Sequence, residues 1–404
     1  MSPAAVVERT ARQSYGRLLA WLSWQWQDIA AAEDALSEAF ATALARWPVD
    51  GIPESPEAWL MAVAKRQLLM VARRRRLSDD PALTILWPDI TTPAPEVCTL
   101  PDSRLRLMFV CTHPAIDPSM HAAMMLQTVL GLDASRIASA YLVKPEAMAK
   151  RLVRAKSKIK ATRIRFEEPD PSEWQARIGA VLEAIYGAFT LRWDVVDGDT
   201  CLQLAAEAAF LAELVAARLP DEPEALGLLS LLSFCQARRA ARLASDGHFI
   251  PLAEQNPNDW NMELIKEANC CLVQAASFGH PGPYQIEAAI QAAHVQGAID
   301  GEVPWPDITH LYERLLSISS TIGAVIAHAV AAAHAANDWA LGIELLKAID
   351  QNAIVAHQPW WAALAYLSSM AGNGEEAIRA YDRTMALTAD PAIRDWLWER
   401  RQAC

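Results

Sequence analysis

Apolar residues recur at three- and four-residue spacing along nearly the whole chain, and the two-residue alternation of a half-buried strand is almost absent. That period restricts the fold to packed amphipathic helices, because each apolar stripe occupies one helix face and must be buried. Leu18, Leu19, Leu22 and Trp26 make the first stripe. After a break near Asp28, Ala35, Leu36, Ala39, Phe40, Ala43, Leu44 and Trp47 make the second. The segment Pro48–Pro56 reads as a loop from its Pro and Gly content. A third helix is expected from Ser55, with Pro56 at its first position and Glu57 next, running through Trp59 to Arg76. Ser78–Pro101 holds five Pro and little periodicity, so residues 79–101 read as a linker. A second helical unit follows over 102–168. It holds the apolar run Ala122–Leu130, a short helix from Asp133 to Tyr141, a tight turn at Leu142–Lys144, and a last helix from Pro145 to about Arg163.

Charge divides the chain more sharply than hydrophobicity does. The 404 residues hold 36 Lys+Arg and 48 Asp+Glu, a net of −12, which taken whole argues against a nucleic-acid partner. Residues 1–168, however, hold 22 basic and 18 acidic side chains (+4), and residues 169–404 hold 14 and 30 (−16). The sign changes at Glu167–Pro171, which reads as a boundary between a basic part and an acidic extension, 169–404. Opposite charges on the two parts raise the prospect of an intramolecular contact between them.

The extension repeats. Ile308, Ile343 and Ile378 are 35 residues apart, as are Leu311, Leu346 and Tyr381, and Ala292, Ala327 and Ala362 keep the same step one helix earlier. Three coincident series in Ala-rich helix pairs predict a helical-hairpin solenoid close to the tetratricopeptide period.

Chemistry-bearing candidates concentrate in the basic part. Between Lys144 and Arg165 nine cations face one acid, Glu146. Lys150, Arg151 and Arg154 share a helical face. Met148, Leu152, Ala155 and Ile159 form the opposite, apolar back. A short helix, a turn and a cationic helix fit a helix-turn-helix, whose second helix reaches phosphates and base edges. A second basic run, Lys65, Arg66 and Gln67 through Arg73, Arg74, Arg75 and Arg76, ends the third helix. Favourable interaction with the helix C-terminus explains one or two Arg there but not four. Asp34 and Glu38 lie at i, i+4 with Phe40 nearby, a pattern open to either a solvated face or a docking surface for a basic helix. No phosphate-loop, dinucleotide, nucleophile-elbow or zinc-protease motif is present, and Cys111, His113, Asp117 and His121 lack convincing metal spacing. No cofactor and no catalytic residue is expected. The seven Cys form no C-x-x-C pair and read as reduced thiols. Charges stand where a signal peptide would be apolar, and no apolar run approaches the ~18–20 residues of a membrane span. The expectation is an all-α cytoplasmic protein without a membrane partner.

These features occur in one order in one family. Ala32-Glu-Asp-Ala-Leu-Ser-Glu-Ala-Phe40, Arg46-Trp-Pro48, Gly51-Ile-Pro53 and Pro56-Glu-Ala-Trp-Leu60 resemble region 2 of bacterial sigma factors of the extracytoplasmic-function type. Leu100–Phe109 with His113-Pro-Ala115 resembles the start of their second unit, and Met148–Lys156 resembles the recognition helix of region 4. Leu219–Leu229, Ala237–Arg242 and Gly279–Gln285 are similar to the subgroup carrying a tetratricopeptide-like extension. The resemblance implies two small helical domains, region 2 over 1–78 and region 4 over 102–168, ahead of the solenoid. It implies that Asp34, Glu38 and Phe40 dock on the clamp helices of the RNA polymerase largest subunit. Lys65 to Arg76 would face the −10 promoter element. Lys144, Glu146, Lys150, Arg151, Arg154 and Lys158 would enter the major groove at −35. The chain departs from the family at Arg66 and Met70, where Asn and Asp are usual, at Cys111-Thr112, at Gly187–Leu191 and at Ala327-His328. A diverged sigma-like regulator that no longer recognises a promoter is the alternative.

Overall fold

The structure, a computed structural model, describes residues 2–79, 103–190 (except 142, 163, 165 and 167–170), 199–350 and 354–404. Among these the regular elements are helices, and the one β-type pairing is an isolated bridge, Leu243 to Phe249. The chain is all-α, as its periodicity requires. No helix among the described residues is long and apolar enough to cross a membrane. The linker read at 79–101 lies outside the described residues except for Asp79.

The contacts divide the chain into two units. The first is Met1–Leu191 with Gln203–Ala208, and the second is Arg192–Leu202 with Ala209–Cys404. The first unit opens with α1 (Pro3–Trp26), α2 (Ile29–Asp50) and α3 (Pro56–Asp79). Asp28 caps α2 by accepting from the Ala31 amide at 3.1 Å, which explains the break there. Leu18, Leu22, Leu36, Ala39, Trp47, Leu60 and Leu68 pack into one apolar core. The loop predicted over Pro48–Pro56 is shorter than its composition suggests, because α2 continues through Pro48 to Asp50. A proline in the last turn deletes a single backbone bond, and Trp47, buried edge-on against Trp59, holds that turn in register.

Next come α4 (Arg104–Cys111), α5 (His121–Thr128), α6 (Ala134–Ala140) and α7 (Pro145–Ala161). Asp133 caps α6 through the Ser135 and Arg136 amides. The helix α8 (Pro171–Thr190) also belongs to this unit: Trp174 stacks on Phe109 of α4 at 5.7 Å. Packing and charge therefore divide the chain at different places. The sign change precedes α8, but the buried face of α8 (Ile178, Val181, Leu182, Ile185, Phe189) falls with α4 and α5.

The helix α9 (Asp199–Arg218) contributes residues to both units. The second unit continues with α10 (Pro223–Ala237), α11 (Met262–Ala276), α12 (Pro283–Asp300), α13 (Trp305–Ile318), α14 (Ile322–Ala336) and α15 (Trp339–Lys347). It ends with α16 (Gln358–Met370), α17 (Gly374–Leu387) and α18 (Pro391–Gln402). The three 35-residue copies fall on three successive helix pairs. Ala292, Ala327 and Ala362 lie in α12, α14 and α16, while Ile308, Ile343 and Ile378 lie in α13, α15 and α17. None of the nine repeat residues is exposed.

Candidate functional site

The cationic helix α7 is amphipathic in the sense its spacing predicts. Met148, Leu152, Ala155 and Ile159 are all buried, and α7 packs chiefly on α6, with α2 and α5 also in contact. Lys144, Glu146, Lys150, Arg151, Arg154 and Lys158 are exposed. Arg154 donates from Nε to the Lys150 carbonyl at 3.3 Å. At 1.5 Å per residue the exposed cations from Lys144 to Lys158 form an edge that spans about 21 Å along the axis of α7. Such an edge, rigid and without interleaved carboxylates beyond Glu146, is chemically suited to a polyanion.

Two cations of α7 behave differently. Lys156 is buried, and its ammonium pairs with Glu33 of α2; Lys160 pairs with Asp28 at 2.6 Å. Just beyond the helix, the Phe166 amide donates to Gln27 Oε1 at 3.1 Å. Gln27 itself has φ of 55°, a left-handed conformation rare outside Gly, and turns the chain from α1 into α2. Its amide also donates to the Trp24 carbonyl at 2.6 Å, so one side chain braces the corner from both sides. Periodicity contained a signal for Lys156, which sits on the buried stripe between Leu152 and Ile159. Its partner, 123 residues away, left none.

The basic run on α3 is only partly free. The Lys65 ammonium lies 4.3 Å from the Trp21 ring, a cation–π contact, and burial lowers its pKa from the usual lysine range. Arg66 and Arg73 are exposed and Gln67 is half-buried. The side chains of Arg74, Arg75 and Arg76 lie outside what the structure describes. Leu69, Met70 and Val71 add an exposed apolar edge beside Arg66 and Arg73.

The acidic surface is split. Asp34 and Glu38 are exposed on one face of α2, but Phe40 faces inward and stacks on Tyr15 with ring centroids 6.5 Å apart. Two residues beyond Glu38 is about 200° round a helix, so Phe40 cannot share its face. Burial, reinforced by Glu33, raises the Tyr15 pKa well above the tyrosine range.

In the second unit, two of the strings identified in the extension meet. The Glu224 carboxylate accepts from the Tyr284 amide at 2.9 Å, the Gln285 amide at 3.2 Å and Gln285 Nε2 at 3.0 Å. An acid on α10 thus caps α12, where unpaired amides attract negative charge. Nearby, Arg238 is buried and donates to the Phe234 carbonyl and to Gln291. A run of rings crosses the later pairs: His294 meets Trp305 edge-on, Trp305 stacks on His334 at 4.0 Å, and Tyr366 hydrogen-bonds His334 at 2.9 Å. Burial, with smaller effects from Arg238 and His334, pushes the His294 pKa down to about 4.

Cys111 is buried against Thr128, and burial pushes its thiol up to about 12. His121 is held by the Ile116 carbonyl. Among the described residues no group of three or more His, Cys, Asp or Glu is placed to hold a metal ion.

Residues 177–276 match a family of unknown function, DUF6596, spanning α8 to the end of α11. Over 386 residues the chain is 30% identical to the uncharacterized protein R00370 of Rhizobium meliloti (strain 1021), covering 94% of this chain and 90% of that one. The chain belongs to the family of that protein. No solved structure matches it.

Proposed function

We propose that the protein is a transcription initiation factor of the extracytoplasmic-function sigma type, with a tetratricopeptide-like extension. The observation that carries the reading is the cationic edge of α7, where Lys144, Lys150, Arg151, Arg154 and Lys158 are exposed and the apolar back is buried. With α6 and the tight turn between them, α7 acts as the second helix of a helix-turn-helix in the −35 major groove. Arg66 and Arg73 of α3 contact the −10 element. Lys65, drawn onto Trp21, supports that helix and does not read DNA. Asp34 and Glu38 dock on basic side chains of the polymerase clamp helices, with Phe40 packing the core behind them. The repeated pairs α12/α13, α14/α15 and α16/α17 form the solenoid through which the protein is regulated. It works in the cytoplasm as a binding protein and not as an enzyme.

Run-off transcription with core RNA polymerase and genomic fragments tests the proposal. Discrete starts are expected, and alanine at Lys150, Arg151 and Arg154 together should abolish them while core binding persists. A protein that fails to bind core polymerase at moderate salt sinks the reading. Core binding without discrete starts would favour the sigma-like regulator that has lost promoter recognition, to which the exposed Met70 and Arg66 of α3 lend support.

A further inference from the structure

The first unit is two lobes, α1–α3 and α4–α8, and the seam between them has an unusual make-up. The apolar core of the first lobe contains no residue from α4 to α8. Among the described residues, the contacts that cross the seam include Lys156 to Glu33, Lys160 to Asp28, Phe166 N to Gln27 Oε1, and the Arg106 guanidinium over the Trp24 ring. The closest approach is between backbones. A Cβ at Gly16 of α1 would lie 1.8 Å from the Val129 carbonyl oxygen, and Gly131, at φ 66°, seats against the Tyr15 ring. A seam built from ion pairs between separately packed lobes has the character of a transient interface. Its two charge pairs join the two helices to which function has just been assigned: Lys156 and Lys160 belong to α7, Glu33 to α2 and Asp28 to the cap of α2.

We propose that α7 and the α1–α2 corner form a reversible electrostatic latch, closed by Lys156–Glu33 and Lys160–Asp28 and opened by duplex DNA competing for the cations of α7. The DNA arm rests on the proposed function; the latch itself does not. Opening exposes the Glu33 carboxylate beside Asp34, so the start of α2 gains one unpaired negative charge when α7 binds a polyanion. Coupling of this kind is reciprocal, so a basic helix docked on α2 strengthens DNA binding by α7 to the same degree that DNA strengthens the docking.

Amide hydrogen exchange on the full chain tests the latch, read in peptides covering residues 24–34 and 155–166 against core peptides around Leu36 and Leu60. Glu33→Lys and Lys156→Glu should each speed exchange at the seam about tenfold and leave the core peptides unchanged. The double swap, with the charges reversed, should restore the wild-type rate. Gly16→Ala, which alters no charge, should open the seam by wedging α1 off Val129. Raising salt from about 0.05 to 0.5 M should speed seam exchange in the wild type, because the pair at Lys160 is half exposed and screened. A 25-base-pair duplex should do the same over residues 24–34. Unchanged seam exchange in the single swaps, equal loosening of the core, or a double swap that does not recover would overturn the latch. DNA that binds without speeding exchange over 24–34 would overturn its role as the opener. DNA that does not bind at all, with the salt and swap results as expected, would overturn the DNA-binding function and leave the latch standing.

Discussion

His294 is the residue whose environment has the plainest consequence for stability. Its folded pKa is about 4, below the unfolded value of ~6.5, so the unfolded chain binds the extra proton between those values. The stabilisation from keeping it neutral is therefore present above pH ~6.5 and is lost as pH falls toward 4. The full shift is worth about 3 kcal/mol. Urea unfolding at pH 7 and pH 4.5 should show the loss, and His294→Gln should flatten the difference; an equal pH dependence in the variant would disprove the assignment. Residue-level legibility was uneven. Met148, Leu152, Ala155 and Ile159 were readable as a buried face because their spacing depends only on helical geometry. Phe40, read only as near Asp34 and Glu38, turns out to pack on Tyr15, because two residues beyond Glu38 is the far side of the helix. The place of Lys156 on the buried stripe was readable from its spacing, but its counter-ion, 123 residues away, was not.

At the scale of elements, helix starts were the most legible feature. Pro56, Pro145, Pro223 and Pro283 open α3, α7, α10 and α12, and Asp28, Asp133 and Asp338 cap α2, α6 and α15. These signals act within one turn and need no tertiary partner. The cap on α12 is different, because its acid comes from α10. Glu224→Ala should cost about 1–2 kcal/mol, within the range for loss of a capping side chain, and Glu224→Gln less, since the amide oxygen still accepts. Thermal melting of the full chain in the three forms checks this, and no difference between Ala and wild type would show that water replaces the cap. Pro48 shows the opposite limit: the local rule predicted a loop, and the packing of Trp47 on Trp59 extended the helix through it.

For the whole molecule, the charge boundary and the packing boundary give different truncations. A chain ended at Pro169 lacks α8, whose Ile178, Val181, Leu182, Ile185 and Phe189 are buried in the full protein. Each such side chain contributes about 1.5–3 kcal/mol, so the five together rival the 5–15 kcal/mol by which a domain is stable. Residues 1–169 should therefore melt without cooperativity, and residues 1–208 should show a cooperative transition by circular dichroism. A cooperative 1–169 would place the boundary where the charge changes sign. The sequence alone determined that the chain is helical, where α3, α6 and α7 begin, which helix carries the cations and where the 35-residue copies lie. All of these follow from interactions spanning a few residues or from a period that repeats. Only the tertiary structure decided that α8 packs with α4, that Glu224 caps α12, and that two cations of α7 are neutralised at the α1–α2 corner. Those contacts join residues tens to more than a hundred positions apart, and charge or composition along the chain carries no record of which distant surface folding will bring into contact.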